Sequence, residues 1–212
     1  MISEGDMEHI ERILARRDNV REKVLEISRI VIRHSARAIV ETHRGEFTKA
    51  KNNLKIVERY IDKMQKAFSS DRELGYSGSV ITAYQEYAEA KLLYNLIADE
   101  KILSLKDSGL EPIPYLLGLL DFIGELRRVI LNCLIKGDVE KASKIFNLME
   151  STYEDIFSID HTAIIPNFRR KLDNVRRIVE FTRGDIATET RRISLENAIR
   201  EVEKKFFKKL KT

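Results

Sequence analysis

Two stretches set carboxylates among residues that a helix would bury. In Tyr84-Gln85-Glu86-Tyr87-Ala88-Glu89-Ala90 the two acids are three apart, and in Leu119-Leu120-Asp121-Phe122-Ile123-Gly124-Glu125-Leu126 they are four apart. Either spacing puts a pair on one helix face. At about 100° per residue, Thr82, Glu86, Glu89, Ala90, Leu93 and Ile97 share one sector. On the second stretch Leu117, Asp121, Glu125 and Arg128 share another, flanked by Leu120, Ile123, Leu126 and Val129. Carboxylates in such company are costly unless paired, hydrogen-bonded or bound to metal. Four oxygen donors suit Mg²⁺ or Mn²⁺, with waters completing the shell. Such a cation activates a water and neutralises charge on a phosphodiester. Neither stretch carries a His, which argues against zinc and against the Glu-x-x-His pattern of di-iron bundles. The plainer reading is an ion-pair network, with Arg128 satisfying Asp121 and with Lys91 and Arg127 near by. From spacing alone the two readings stand level.

The elements that must position these acids read as six helical segments in an all-α single domain spanning residues 1–212, with a long N-terminal helix. The first helix covers about Asp6–Glu41, with a seam marked by Ile10, Ile13, Leu14, Val20, Val24, Ile27, Val31 and Ala38, and His43-Arg44-Gly45 ends it. A seam that long implies packing in a bundle or between subunits. The second covers about Glu46–Phe68, followed by a break at Ser69-Ser70-Asp71, Gly75 and Gly78. The third, about Gly78–Leu105, carries the first acidic pair. Asp107-Ser108-Gly109 and Pro112-Ile113-Pro114 separate it from the fourth, about Pro114–Ile135, which carries the second. After Gly137, Asp138 reads as the N-cap of a fifth helix ending near Ser158. The last runs from about Asn167 to Lys208, with a turn expected at Arg183-Gly184-Asp185.

Composition sets the limits. The chain has 212 residues, 34% charged, with only 9 Gly and 3 Pro, which suits long helices with few turns. A net charge of +4 permits a nucleic-acid partner without requiring one. Cys133 is alone among apolar neighbours, so an intrachain disulfide is excluded and a core position is expected. No apolar run approaches the ~18 residues of a membrane span, and the first residues are acidic rather than signal-like, so a cytoplasmic protein without a membrane partner is expected. Nucleophile-elbow and phosphate-loop motifs are absent, and His9, His34, His43 and His161 have no metal or triad spacing.

Three stretches resemble the translin family, and within it translin-associated factor X rather than translin itself. Arg17-Asp18-Asn19-Val20-Arg21-Glu22-Lys23 resembles the family's first-helix motif, and Gln85-Glu86-Tyr87-Ala88-Glu89-Ala90 the factor X acidic motif. Pro114-Tyr115-Leu116-Leu117-Gly118-Leu119-Leu120-Asp121-Phe122-Ile123-Gly124-Glu125-Leu126 resembles the family's most recognisable segment. The resemblance implies a bundle of six to seven helices that assembles into a homo-oligomer, a closed octamer enclosing RNA or single-stranded DNA. It also implies that Glu86, Glu89 and Asp121, with Glu125 behind them, act as metal ligands and catalytic groups in Mg²⁺-dependent (or Mn²⁺-dependent) RNA cleavage. The eukaryotic nuclease combines two different chains, so a single chain implies either a homo-oligomer or a second partner.

A nucleic-acid partner needs a positive surface. Arg169, Arg170, Arg176, Arg177 and Arg183 repeat along the last helix, and Arg29, Arg33, Arg37 and Arg44 along the first, with His34 beside them. The residues assigned to nucleic-acid binding are Arg33, Arg37, Arg169, Arg170, Arg176 and Arg177, which would give salt-dependent, sequence-tolerant contacts. The competing account is a solvated face compensated by Glu22, Glu26, Glu41 and Asp173. The terminal Lys204, Lys205, Lys208, Lys209 and Lys211 read as a frayed end. Tyr84, Tyr87 and Tyr94 offer stacking surfaces but are more often half-buried core. Three functions compete: a metal-dependent endoribonuclease, a non-catalytic nucleic-acid-binding oligomer, and a structural helical protein whose acids are ion-paired.

Overall fold

In the computed structural model residues 4–68, 77–160 and 162–209 are described; Ser69, Ser70, Asp71, Gly75, His161 and Lys211 lie outside them. The described residues form seven α-helices and one 3-10 turn, without strands. The helices are α1 (Glu4–His43), α2 (Phe47–Phe68), α3 (Gly78–Asp99), α4 (Leu105–Ser108), α5 (Pro112–Ile135), α6 (Val139–Phe157) and α7 (Phe168–Lys209), with the 3-10 turn at Thr162–Ile164. Contacts divide the chain into two units, Met1–Phe122 and Ile123–Thr212, with the boundary inside α5. No helix of the described residues is long and apolar enough to cross a membrane.

In the first unit α1 and α2 form a helical hairpin. Its corner closes because Gly45, at φ +74°, takes the left-handed conformation that a side chain would oppose. Gly45 N then donates to Thr42 O and Glu46 N to Glu41 O, which satisfies carbonyls at the helix end. Along α1 the buried positions step by four and three: Val24, Ser28, Val31, Ser35, Ala38, Thr42. Along α2 they do the same: Ala50, Leu54, Val57, Ile61, Met64. Two such stripes pack as in a coiled coil, the small residues of α1 receiving the larger ones of α2. Two of these buried hydroxyls turn back on their own helix, Ser28 donating to Val24 O at 2.8 Å and Thr42 to Ala38 O at 2.7 Å. Within this chain the seam is buried from Val24 on. Met7, Ile10, Ile13 and Leu14 are exposed, because α2 ends before reaching the first turns of α1.

The third helix packs on both α1 and α2, burying Val80, Ala83, Tyr87, Ala90 and Leu93. It stops at Asp99 rather than near Leu105, since Glu100 adopts φ 53° and its N–H returns to Asn95 O. Ser104 then caps the single turn of α4 by accepting from Asp107 N at 3.1 Å, so the expected Asp107-Ser108-Gly109 break is that turn and its end. Helix α5 starts at Pro112, and Pro114 falls in its first turn, where a missing N–H costs little.

In the second unit Asp138 caps α6 as expected, accepting from Lys141 N at 3.0 Å. Helix α6 buries Ala142, Ile145, Phe146, Met149 and Ile156, and α7 buries Phe168, Val175, Val179 and Thr182. Cys133 is buried, and burial pushes its thiol up, so it stays protonated core. The expected turn at Arg183-Gly184-Asp185 is absent and α7 runs on without a break. Arg127 explains this: it donates to Thr182 Oγ1 at 2.7 Å and pairs with Asp185 at 2.9 Å, gripping α7 on both sides of Gly184. Beyond that grip α7 carries the exposed apolar residues Leu195, Ile199, Val202 and Phe206.

Candidate metal and nucleic-acid site

The first unit brings the acidic stretch of α3 against α5. The contact is close because Gly118 has no side chain. A Cβ built there would stand 2.4 Å from Ala88 Cβ, 3.0 Å from Gln85 O and 3.2 Å from Glu89 N. Gly118 and Ala88 are thus the point where the two helices touch, backbone nearly on backbone. One turn further along α5 is Asp121, and its Oδ2 accepts a hydrogen bond from Gln85 Nε2. One residue past Ala88 is Glu89, only 9% exposed among Ala88, Ala90, Leu92 and Leu93. Glu86 is half-buried on the same helix. The contact between the two stretches shown here is thus Gln85 on Asp121. Glu125 falls in the second unit, a helical turn along α5.

The cations proposed to neutralise these acids are engaged in other ways. Lys91, the single basic residue of α3, donates to Tyr87 Oη at 2.6 Å and to Glu58 at 3.2 Å. Tyr87 in turn donates to Glu58 at 2.9 Å. Burial first, and the Glu58 carboxylate second, push the Tyr87 phenol far up, so it remains a donor. This brace ties α3 to α2. Arg127 belongs to Thr182 and Asp185, and the ion pair of Arg128 is with Glu125, at 3.8 Å. On the same helix face the Gln85 amide donates to Asp121, and the Arg128–Glu125 pair is exposed and long.

The donor set fits a hard divalent cation in kind, being carboxylate oxygens, with Glu89 buried and Asp121 accepting a hydrogen bond from Gln85. As they stand, no group of three or more His, Cys, Asp or Glu side chains among the described residues is gathered closely enough to hold a metal ion. Gln85 is the residue whose part sequence reasoning left unassigned. The available signal was its place four residues before Glu89, on the same side of the helix.

The arginines behave differently. Arg33 and Arg37 are exposed on α1, and His34 between them faces inward to Asn53, at 2.6 Å, which itself donates to Glu41. On α7 Arg169, Arg170, Arg176 and Arg177 are all exposed. Arg176 pairs with Glu180 at 3.0 Å, and Arg183 pairs with Glu150. Arg169 lines a cavity of about 500 Å³ together with Asp160 and Asp173. Phe181 is exposed one turn past Arg177 and adds an aromatic surface to that face. The tyrosines are not such surfaces: Tyr87 is buried, burial pushes the half-buried Tyr84 phenol up, and Tyr94 meets Phe47 edge to face.

Comparison with known proteins agrees with this architecture. Residues 19–181 match the translin family. The chain is 31% identical, over 205 residues, to an uncharacterised protein of Methanocaldococcus jannaschii, covering 96% of this chain and 91% of that one. It is 24% identical over 182 residues to mouse translin-associated protein X, covering 67% of this chain and 63% of the mouse protein. Among solved structures, the AfC3PO–duplex RNA complex superimposes with a TM-score of 0.78 at 29% identity, over 87% of this chain and 96% of that one.

Proposed function

The chain belongs to the translin family, and from that footing we propose that it is a nucleic-acid-binding protein that cleaves RNA phosphodiester bonds with the help of Mg²⁺ or Mn²⁺. Glu86, Glu89 and Asp121 are the residues that would hold the cation, with Glu125 contributing from the next turn of α5. The cation would supply charge neutralisation on the phosphodiester and a more acidic bound water. The protein's own part is to hold the carboxylates and to bind the strand. Burial of Glu89 keeps competing water away, and the crossing at Gly118 holds α5 in register with α3 so that Asp121 faces the Gln85–Glu89 stretch. Arg33 and Arg37 in one unit, and Arg169, Arg170, Arg176 and Arg177 in the other, contact phosphates without reading sequence. Arg176 contributes less, since Glu180 already engages it.

The observation that carries the reading is the Gln85–Asp121 hydrogen bond at the Gly118 crossing. It joins the two acidic stretches across two helices at the point of closest approach. The AfC3PO relative was captured with duplex RNA, which supports RNA as the partner. The exposed apolar residues at the start of α1 and the end of α7 support a homo-oligomer, and the family resemblance an octamer.

The test is incubation of the pure protein with labelled RNA and Mg²⁺. Cleavage by the wild type and none by Asp121→Asn is the expected result; equal cleavage by both would rule the assignment out. A second reading, a non-catalytic nucleic-acid-binding oligomer, is favoured by the lack of three gathered metal donors among the described residues. It predicts salt-sensitive RNA retention with no cleavage at any Mg²⁺ or Mn²⁺ concentration.

A further inference from the structure

We propose that the cavity at the start of α7 is a nucleotide subsite that takes an unpaired guanosine; this rests on the nucleic-acid reading of the chain. The cavity measures about 500 Å³, and its lining residues all belong to the second unit. That volume is ample for one nucleotide and is typical of ligand pockets. Arg169 belongs both to its wall and to the row of arginines along α7. Of its two phenylalanines, Phe168 is buried core, whereas Phe157, the last residue of α6, is 63% exposed. Tyr153 packs on Phe157 with ring centroids 5.9 Å apart, so the ring is placed before anything binds. An exposed, pre-placed ring is a stacking surface for a base. Backbone bonds fix the approach to α7, Ile165 N donating to Thr162 O at 3.0 Å and Phe168 N to Ile165 O at 3.2 Å.

The charged lining selects the occupant. Asp160 and Asp173 share the wall with Arg169 and the Thr162 hydroxyl. A simple cation would meet the guanidinium, and a simple anion would meet two carboxylates. A nucleotide answers both: its phosphate takes Arg169 and Thr162, and its base edge takes a carboxylate. A carboxylate only accepts. Guanine alone among the four bases sets two donors side by side on its Watson–Crick edge, N1–H and the N2 amino group. Adenine and cytosine set a ring acceptor beside their amino group, and uracil flanks its one N–H with two carbonyls. A carboxylate therefore favours guanine and repels the acceptors of the other three. That edge is occupied in a duplex, so the subsite takes a base from a single strand, a bulge or an end. The arginines contact phosphates without reading sequence; the cavity beside them reads one base.

The experiment uses the full-length protein with guanosine, inosine and adenosine 5′-monophosphates as probes, and isothermal titration calorimetry to read their dissociation constants. Guanosine monophosphate is expected to bind about tenfold more tightly than inosine monophosphate, which lacks only the N2 amino group, and more tightly still than adenosine monophosphate. Replacing Asp160 and Asp173 together by Asn should bring the three constants within about twofold of one another, because an amide also donates. Phe157→Ala should weaken all three by about tenfold and keep their order. Equal binding of the three by the wild type, or an unchanged order in the double Asn variant, would overturn the assignment. Filter retention of a single-stranded RNA separates the two levels of the argument. Retention that is no better with one guanosine than with adenosine in its place removes the subsite alone. No retention at any salt concentration removes the nucleic-acid reading, and this assignment with it.

Discussion

The crossing of α3 and α5 in the first unit and the arginine face of α7 in the second both collect charge, by opposite means. At the crossing the chain gives up a side chain at Gly118 so that two backbones touch, and charged groups are located by that contact. On α7 the arginines stand exposed and are located only by helix periodicity, with Glu180 and Glu150 pairing some of them. A group placed by backbone contact has one position, which suits chemistry that depends on tenths of an ångström. A group placed by periodicity has many, which suits a polyanion whose phosphates need no single register. The difference predicts that disturbing the crossing changes rates, while disturbing the arginine face changes salt dependence.

The largest expected effect is at the crossing. Asp121→Asn keeps the shape and the acceptor for Gln85 but removes the charge, and cleavage is expected to fall by about a thousandfold, the scale of losing one preorganised charge-stabilising group. RNA retention by filter binding should change by less than about twofold, since phosphate contacts set affinity. A parallel loss of retention and cleavage would erase the contrast between the two regions. Next comes Gly118→Ala. Its new Cβ meets Ala88 Cβ, which cannot swing aside, so a destabilisation of about 1–3 kcal/mol is expected. It should appear as a lower melting temperature together with slower cleavage by the protein that remains folded.

On the arginine face, replacing Arg169, Arg170 and Arg177 together by Gln should leave the cleavage rate at saturating RNA unchanged. The slope of log binding constant against log salt concentration should become shallower by about two, at about 0.7 per phosphate contact on a single strand. An unchanged slope would assign that face to solvent or to a protein neighbour.

How far all this was legible in the sequence differs between the regions for the same reason. Hydrophobic periodicity and capping residues announce elements, so α2, α6 and the all-α class were readable, down to Asp138 as an N-cap. Acids at i, i+3 and i, i+4 announced a charged face and its place on two helices. Local signals could not say what lies opposite. The seam of α1 ran through Ile10, Ile13 and Leu14 to Ala38, but periodicity does not show whether such a seam packs within the chain or between copies, and in this chain Ile10, Ile13 and Leu14 are exposed. The turn expected at Gly184 was cancelled by Arg127, more than fifty residues earlier in the chain. Gln85 and Glu58 were equally silent: each acts on a helix other than its own.

The two glycines of α5 give the smallest effect and the cleanest separation. Close approach of a neighbouring helix accounts for Gly118 alone. A Cβ at Gly124 would meet nothing within 4 Å. Alanine there reduces the freedom of the unfolded chain and improves helix propensity with no clash to offset the gain, so Gly124→Ala is expected to stabilise by about 0.4–1 kcal/mol. The same substitution on the same helix should then have opposite signs at 118 and 124. Thermal denaturation at several protein concentrations checks it. If the gain appears only in dilute protein and reverses as concentration rises, the open space beside Gly124 is filled by a second copy of the chain. The missing side chain then serves assembly, as at Gly118 it serves the crossing.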